Sequence, residues 1–255
     1  MDFSNKTALI TGAGQGVGEG IARALASYGA NVSLVGRTLS KVQRVADEIN
    51  DNGGSAIAIQ CDVKDKTSID NSILSTVSHF KSLNILINNA QEVPLGNLLN
   101  VSDESFLDGW NSGPLATFRF MKGCYPHLKG DGKILNLASS SALRPDSASY
   151  GAYAAVKEAI RSLSRAAAVE WGSDNILVNC IMPLAKSSGM EWWMNENPDE
   201  ANEFLKTIPV GKVGDCKDDI GEAVCHLLSD GMNYITGSTI IIDGGQAYLM
   251  YFLYG

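Results

Sequence analysis

Two hydrophobic periodicities alternate along the chain. Short, nearly continuous apolar runs are typical of strands buried on both faces, and they occupy Thr7–Thr11, Val32–Gly36, Ala56–Gln60, Leu83–Asn88, Lys133–Ala138, Ile176–Ile181 and Thr239–Ile242. Between them, apolar residues recur at helical spacing in Val17–Tyr28, Leu39–Ile49, Ile69–Phe80, Ser102–Lys129, Tyr150–Trp171 and Asp218–Leu228. Strands that alternate with helices predict a parallel sheet covered on both faces, which right-handed crossovers make a doubly wound α/β fold.

We expect residues 1–255 to form one domain. A chain of 255 residues suits one large domain or two small ones, but no repeat, linker or composition break divides it. Two segments depart from the alternation. The tail 248–254 is strongly apolar, although it is far too short to span a bilayer. The segment 187–206 is inserted before the final crossover and carries four bulky apolar side chains, Met190, Trp192, Trp193 and Met194.

Composition argues against several classes of function. Apolar residues make up 45% of the chain and charged residues 19%, which is ordinary for a soluble globular protein. The net charge is −8 and basic residues are scattered, so nucleic-acid binding is not expected. The sequence predicts no secretory signal and no membrane span, because neither pattern is present. Five cysteines without a CxxC pair and three histidines without ligand spacing predict reduced thiols, a cytoplasmic location and no metal site.

A glycine-rich turn, Thr11–Gly18 (TGAGQGVG), follows the first predicted strand and opens the first predicted helix. Glycine is needed where φ is positive, where the backbone approaches a pyrophosphate, and where a helix packs closely on a strand. The free N–H groups and positive dipole end at the start of that helix attract phosphate. A glycine-rich turn alone is a weak signal, but in this strand–turn–helix context it predicts dinucleotide binding rather than a plain structural turn.

The end of the second predicted strand decides which dinucleotide fits. An acidic side chain there holds a 2′-hydroxyl, whereas a 2′-phosphate needs that carboxylate absent and a cation present. The chain has Gly36 where the acid would stand, and Arg37 follows it. NADP(H) is therefore the predicted cofactor, with NAD(H) as the alternative. An arginine that is merely exposed on a loop is an interpretation that composition leaves open.

Tyr153 and Lys157 are four residues apart and therefore share one face of a helix. A free phenol has a pKa of about 10 and is a poor base near neutrality, but a neighbouring cation favours the phenolate. The pair therefore predicts proton transfer at Tyr153. Upstream, a predicted strand runs into Ser139–Ser141 at the sheet edge where open α/β sheets bind ligands. A serine there can hydrogen-bond a substrate oxygen, although serines also simply terminate strands.

In order and spacing, these motifs resemble those of the short-chain dehydrogenase/reductase family over essentially the whole chain. The matching segments are Thr11-Gly-x-x-x-Gly-x-Gly18, Asp62 within Cys-Asp-Val, Asn88-Asn-Ala90, Ser139, Tyr153-x-x-x-Lys157, Val178-Asn179, Pro183, Tyr234-Ile-Thr-Gly237 and Asp243-Gly-Gly245. The resemblance implies a single Rossmann-type domain. Together with the NADP(H) preference predicted from Gly36 and Arg37, it implies an oxidoreductase that interconverts a secondary alcohol and a ketone.

The resemblance assigns roles to individual residues. Tyr153 is the expected general acid/base, and Lys157 is expected to hold the nicotinamide ribose and to lower the tyrosine pKa. Ser139 is expected to position the substrate oxygen, with Ser140 and Ser141 as alternatives; Asp62 is expected at the adenine. The residues expected to bind the cofactor are Gly12, Gln15, Gly16, Val17, Gly18, Arg37, Asp62, Val63, Asn89, Ala90, Tyr153, Lys157, Pro183 and Ser188.

One departure from the family pattern concerns catalysis itself. The family has a fourth catalytic residue, an asparagine that feeds a proton relay, and by its spacing Gly113 takes that place. Asn111 is two residues away and would face elsewhere on a regular helix. Gly113 and Pro114 can distort this helix. Asn111, a water molecule or no group at all therefore remain open as the replacement.

The predicted substrate is bulky and apolar. By resemblance, the insertion 187–206 is a lid over the substrate. Its Trp192 and Trp193 favour a cyclic, hydroxysteroid-like alcohol or ketone, with packing of the lid helix on its own core as the alternative. Gln91 and Leu184 replace family glycines and are expected beside the nicotinamide and the substrate.

Assembly and two rival functions complete the expectations. The apolar tail and the long helices resemble subunit contacts, so a homo-oligomer, either a dimer or a tetramer, is expected. A non-catalytic NADP-binding regulatory protein would explain the altered positions 91, 113 and 184. Retention of Ser139, Tyr153 and Lys157 argues against it, because binding alone needs no aligned acid/base pair. The same site can also serve dehydration or epimerisation.

Overall fold

Within residues 1–143 and 150–249, which the computed structural model describes, seven strands form one parallel sheet. They are β1 (Thr7–Thr11), β2 (Asn31–Gly36), β3 (Ser55–Gln60), β4 (Ile85–Asn88), β5 (Gly132–Leu137), β6 (Ile176–Pro183) and β7 (Thr239–Ile242). Their order across the sheet is β3-β2-β1-β4-β5-β6-β7. The predicted doubly wound α/β, Rossmann-type fold is confirmed.

Helices cover both faces of the sheet. They are α1 (Gly16–Ser27), α2 (Leu39–Asp51), α3 (Lys66–Phe80), α4 (Asp103–Trp110), α5 (Ala116–Leu128), α6 (Gly151–Trp171), α7 (Ser188–Glu196), α8 (Pro198–Lys206), α9 (Glu222–Leu228) and α10 (Gln246–Leu249). Successive residues of β1 point to opposite faces, so Leu9 packs with Ile69 and Phe120 while Ile10 packs with Ile21. Both faces of β1 are therefore core, which explains its unbroken apolar run.

The order of the strands creates a crevice beside β1. From β1 the chain winds outward through β2 to β3, and it then crosses back to β4 on the other side of β1. At this point the connections leave the carboxyl ends of β1 and β4 in opposite directions. Open α/β sheets bind ligands at such a switch point, so the fold itself locates the site.

The predicted helix Ser102–Lys129 is interrupted. It is divided into α4, a π-helical turn over Asn111–Leu115, and α5. Pro114 lies inside the π-turn and has no N–H to donate to the preceding turn, which accounts for the break. The distortion expected from Gly113 and Pro114 is therefore present.

The inserted segment 187–206 forms two helices, α7 and α8. The apolar tail lies outside the described residues from position 250 onward, and the structure says nothing of its role. In the part of the chain that is described, no helix is both long and apolar enough to cross a membrane.

Candidate active site

A cleft of about 500 Å³ lies at the switch point, at the carboxyl ends of β1, β2 and β4. Its lining includes eleven of the residues predicted for the cofactor or substrate: Gly12, Gln15, Gly16, Val17, Arg37, Asp62, Val63, Asn89, Ala90, Gln91 and Ser188. The lining does not include Gly18, Tyr153, Lys157, Pro183, Leu184, Trp192 or Trp193. The structure thus brings ten of the fourteen predicted cofactor residues together at one cleft, whose lining does not include the other four.

The turn between β1 and α1 needs its glycines for two reasons. Gly12 has a φ of 67° and Gly16 a φ of 58°, a region that side chains other than glycine rarely adopt. A Cβ at Gly18 would lie 2.5 Å from the carbonyl oxygen of Gly12, so this glycine allows α1 to pack against the turn. Gly18 therefore supports the cleft without lining it.

The turn and the start of α1 fit the pyrophosphate of a dinucleotide. The N-cap residue of α1, Gln15, makes no side-chain hydrogen bond to the N–H groups of the first turn. The Gln15 carboxamide instead accepts a hydrogen bond from Lys41 Nζ at 2.6 Å. Backbone donors, the positive end of the helix dipole and a nearby ammonium group together suit a phosphate anion.

Hydrogen bonds to Thr11 fasten the carboxyl ends of β1 and β4 together. The Thr11 hydroxyl accepts from the backbone N–H groups of Asn89 and Ala90, both at 3.0 Å. The Asn89 side chain returns a hydrogen bond to the Thr11 carbonyl at 2.9 Å. Asn89 and Ala90 are therefore held as one wall of the cleft, which the sequence pattern did not itself specify.

A charged cluster lies at the adenosine end of the cleft. Arg37, whose side chain is 68% exposed, donates to Glu92 Oε1 at 2.6 Å. Lys64 Nζ donates to Glu92 Oε2 at 3.2 Å and to Asp108 Oδ1 at 3.0 Å. These two carboxylates, Asp108 first, raise the pKa of Lys64. No motif marks Lys64 and Glu92, and only the fold brings them beside Arg37; Lys41, equally unmarked, lines the same cleft next to Gln15.

The phenol of Tyr153 is desolvated on α6. Burial raises the pKa of Tyr153 to about 12, and the hydrogen bond with the Ser139 side chain works in the opposite direction. Ser139 lies at the end of β5, where its Oγ also accepts a hydrogen bond from the Ser141 N–H at 3.2 Å. Of the three serines, Ser139 is therefore the one whose side chain the structure pairs with the phenol.

Lys157 lies one helical turn beyond Tyr153 and is only 3% exposed. Its Nζ is 5.6 Å from the centroid of the Tyr153 ring and donates to the Leu137 carbonyl at 2.6 Å. Burial lowers the pKa of Lys157 to about 8. The pKa of Tyr153 lies above its ordinary value because burial of the phenol dominates, so the lowering expected from Lys157 is not seen in this structure.

The predicted substrate residues on the inserted segment lie apart from the cleft. Trp193 packs edge-on against Phe204 of α8, with ring centroids 5.8 Å apart, and Trp192 is 65% exposed. Trp193 thus packs within the inserted segment, whereas Trp192 is largely exposed on α7. The start of α7 does reach the cleft, through Ser187, Ser188 and Gly189. Ser187, which caps α7 by accepting from Met190 N, was missed although a serine before a helix is a recognisable cap.

Pro183 is the last residue of β6 and Leu184 follows it. Pro183 pairs with Ile242 of β7, and the Leu184 N–H donates to the Ile242 carbonyl at 2.9 Å. Their backbone is therefore occupied by the sheet. Asn111, one of the candidates to replace the missing asparagine, opens the π-turn and is not part of the cleft lining.

Known proteins resemble this chain in sequence and in fold. A family model described as enoyl-(acyl carrier protein) reductase matches residues 12–247. The chain is 36% identical over 253 residues to the 12alpha-hydroxysteroid dehydrogenase of a Clostridium species, covering 96% of this chain and 97% of that protein.

Two solved structures extend the comparison to bound cofactors. A short chain dehydrogenase from Burkholderia cenocepacia in complex with NADP has a TM-score of 0.89 at 27% identity, covering 96% of this chain and 99% of that one. A 3-ketoacyl-(acyl-carrier-protein) reductase from Brucella melitensis complexed with NADH has a TM-score of 0.88 at 30% identity, covering 96% and 100%. These structures support a nicotinamide cofactor for this fold. One of them contains NADP and the other NADH.

The family match and these relatives support an oxidoreductase that acts on CH–OH groups with a nicotinamide cofactor. The chain belongs to the short-chain dehydrogenase/reductase family.

Proposed function

We propose that the protein is an NADP(H)-dependent oxidoreductase that interconverts a secondary alcohol and a ketone on a bulky, cyclic, hydroxysteroid-like substrate. The observation that carries this proposal is the phenol of Tyr153, which is desolvated, hydrogen-bonded to Ser139 and one helical turn from the buried amine of Lys157. A group held in this way is arranged to exchange a proton with a substrate oxygen. A protein that only binds a dinucleotide has no use for it.

Tyr153, Ser139 and Lys157 each have a separate part in the proposed reaction. When bound, a nicotinamide ring supplies the hydride chemistry at carbon. Tyr153 gives a proton to the oxygen of a ketone, or takes one from an alcohol, and its raised pKa keeps it protonated at neutral pH. Ser139 orients that oxygen through its hydroxyl. Lys157, when charged, favours the phenolate that forms as the proton leaves.

The preference for NADP(H) rests on the charges around Arg37. Arg37 follows β2 directly, and no acidic side chain stands before it to hold a ribose 2′-hydroxyl. Lys41 lines the same part of the cleft and adds a second cation. Two cations without an adjacent strand-end carboxylate suit a 2′-phosphate, and the Burkholderia neighbour with NADP is consistent with this assignment.

The substrate class, the lid, the location and the assembly form part of the same proposal. The similarity to a 12alpha-hydroxysteroid dehydrogenase supports a cyclic lipophilic substrate, with α7 and α8 as its lid. We place the protein in the cytoplasm as a dimer or tetramer. Apolar side chains exposed on α4, α5 and α6 support a subunit contact, namely Leu107, Trp110, Phe118 and Val169.

Exchanging Arg37 for aspartate is expected to reverse the cofactor preference. NADPH should bind about 10–100-fold more weakly, because a charge-assisted contact to phosphate becomes a repulsion, while NADH binding is retained or improves. Fluorescence titration with both cofactors measures the two Kd values. Arg165→Asp on α6, away from the cleft, is the matched control. An Arg37→Asp protein whose NADPH affinity equals that of the wild type would show that the arginine does not read the phosphate.

Neutralising Glu92 is expected to have the opposite effect. Its carboxylate pairs with both Arg37 and Lys64 and so competes with a 2′-phosphate for these cations. Glu92→Gln should therefore tighten NADPH binding by about 3–10-fold at low salt and leave NADH binding unchanged. The same titration at two ionic strengths measures the effect. Weaker NADPH binding would mean that Glu92 holds Arg37 in its binding position.

The direct test of the proposed function is a panel of lipophilic cyclic ketones with NADPH and NADH. Alcohol formation matched by cofactor oxidation supports the proposal. Cofactor binding without turnover would favour the regulatory alternative, and a changed substrate without net cofactor oxidation would favour epimerisation or dehydration.

A further inference from the structure

The side chain of Gln91 occupies the space that a side chain at position 113 would need. A Cβ placed on Gly113 would lie 2.3 Å from Gln91 Oε1, 2.8 Å from Nε2 and 2.9 Å from Cδ. Such contacts are far below van der Waals distance, so the carboxamide of Gln91 and a side chain at position 113 exclude each other. Gln91 follows β4 and Gly113 lies in the π-turn, so the two residues meet from different elements.

Hydrogen bonds hold the Gln91 carboxamide in this place. Its Nε2 donates to the carbonyls of Glu92, at 2.7 Å, and of Gly109, at 2.9 Å. In a π-turn each N–H pairs with the carbonyl five residues earlier, and Pro114 has no N–H to give to Gly109. Gln91 thus supplies the donor that the proline lacks. The two hydrogen bonds therefore fix the orientation of the Gln91 carboxamide next to the π-turn.

The acceptor end of the same carboxamide is free within the described residues. Gln91 Oε1 is buried and accepts no hydrogen bond from any of them. A buried acceptor without a donor is unfavourable and rare. Gln91 and the neighbouring Ser112 both line the cleft, while Oε1 itself is buried against Gly113.

The π-turn connects Gln91 to the helix that carries the phenol. Residues 111–115 pack against α6, which holds Tyr153 and Lys157. Ser112 also ties the π-turn to the segment that carries Gln91. Its Oγ donates to the Asp108 carbonyl at 2.7 Å and accepts from the Glu92 N–H at 3.0 Å. A change at Gln91 therefore alters the support of the catalytic helix as well as the cleft wall.

We propose that Gln91 is a positioning residue of the redox site. It supplies, from the end of β4, the amide group that no side chain at Gly113 provides. Its Nε2 holds the Gly109 carbonyl, just before the π-turn that packs against α6, and its Oε1 is a buried acceptor beside Gly113. This inference rests on the proposed function, and it adds that positions 91 and 113 are energetically and catalytically coupled.

A swap of the amide between the two positions tests the coupling. Gln91→Gly should lower kcat for ketone reduction by at least about tenfold while KM for NADPH changes by less than about threefold. Gly113→Asn alone should also lower kcat and the melting temperature, because two side chains then compete for one space. The double variant Gln91→Gly/Gly113→Asn should return kcat to within about threefold of the wild type, since the amide is restored.

Two controls separate the amide from mere filling of space. Gln91→Gly/Gly113→Leu fills the same volume without a polar group, so it should recover the melting temperature but not kcat. Gln43→Ala, on the exposed face of α2, should leave both unchanged. The pH profile of kcat should be restored by the asparagine swap alone, a readout that a purely structural role would not move.

The outcomes are distinguishable. If the leucine double variant recovers kcat as fully as the asparagine one, or if folded Gln91→Gly turns over like the wild type, the positioning role is refuted while the proposed function stands. If the wild type itself reduces no ketone, the proposed function fails, and the role of Gln91 in it fails too.

Discussion

Replacing Tyr153 with phenylalanine is expected to lower kcat by about 10²–10⁴-fold, the usual contribution of a positioned general acid or base. The variant removes one oxygen atom and keeps the ring that packs edge-on against Tyr150 and lies 5.6 Å from Lys157 Nζ. Because the phenol lies outside the dinucleotide cleft, the Kd for NADPH should change by less than about threefold. Steady-state rates and cofactor titration together measure the result.

Tyr28→Phe is the matched control for this variant. It removes a phenol that is hydrogen-bonded to Glu222 at 2.7 Å, away from the cleft, and it should leave kcat unchanged. Turnover of Tyr153→Phe at the wild-type rate would remove Tyr153 from the chemistry. Loss of turnover together with loss of NADPH binding would show structural damage instead.

The two directions of the reaction are expected to depend on pH in opposite ways. Alcohol oxidation needs the phenolate of Tyr153 beside the charged amine of Lys157, and ketone reduction needs the protonated phenol beside the same charged amine. The pKa values are about 12 for Tyr153 and about 8 for Lys157. Below pH 8 the phenol and the amine are both protonated. The Tyr153–Lys157 pair must therefore lose one proton before alcohol oxidation, whereas ketone reduction uses the pair as it is.

The expected profiles follow from counting protons. For oxidation, kcat/KM should rise about tenfold per pH unit up to about pH 8 and then level off, because the dominant state has by then lost the single proton required. For reduction, kcat/KM should be level up to about pH 8 and fall above it. Initial rates in both directions between pH 6 and 10 provide the test. A flat oxidation profile between pH 6 and 8 would contradict it.

The architecture was predictable because each strand carries its own signal. The apolar runs of β1, β2 and β7 appear in the structure within a residue of their predicted limits. Their signal is local, since a strand buried on both faces has to be apolar throughout. The break between α4 and α5 was also indicated, by the proline and glycine in the helix, although its π-helical form depends on packing.

Site residues that belong to a motif of fixed spacing could be predicted from the sequence. Contacts between residues that are distant in sequence could not. The glycine turn and the end of β4 meet at one cleft because parallel strands bring their carboxyl ends to one edge. The contact of Arg37 with Glu92, and the fit of Gln91 against Gly113, join residues that are distant in sequence and carry no shared pattern. The tyrosine pKa could not be read from spacing either, because it depends on burial, which spacing does not report.

The role of Tyr153 in ketone reduction is tested most directly by following NADPH absorbance and alcohol formation together, when wild-type protein and Tyr153→Phe are mixed with a lipophilic cyclic ketone. We expect the wild type to consume one NADPH for each alcohol formed, and Tyr153→Phe to bind NADPH with wild-type affinity and to consume almost none. If the wild type binds NADPH but consumes none with any ketone of the panel, the protein is not the proposed reductase.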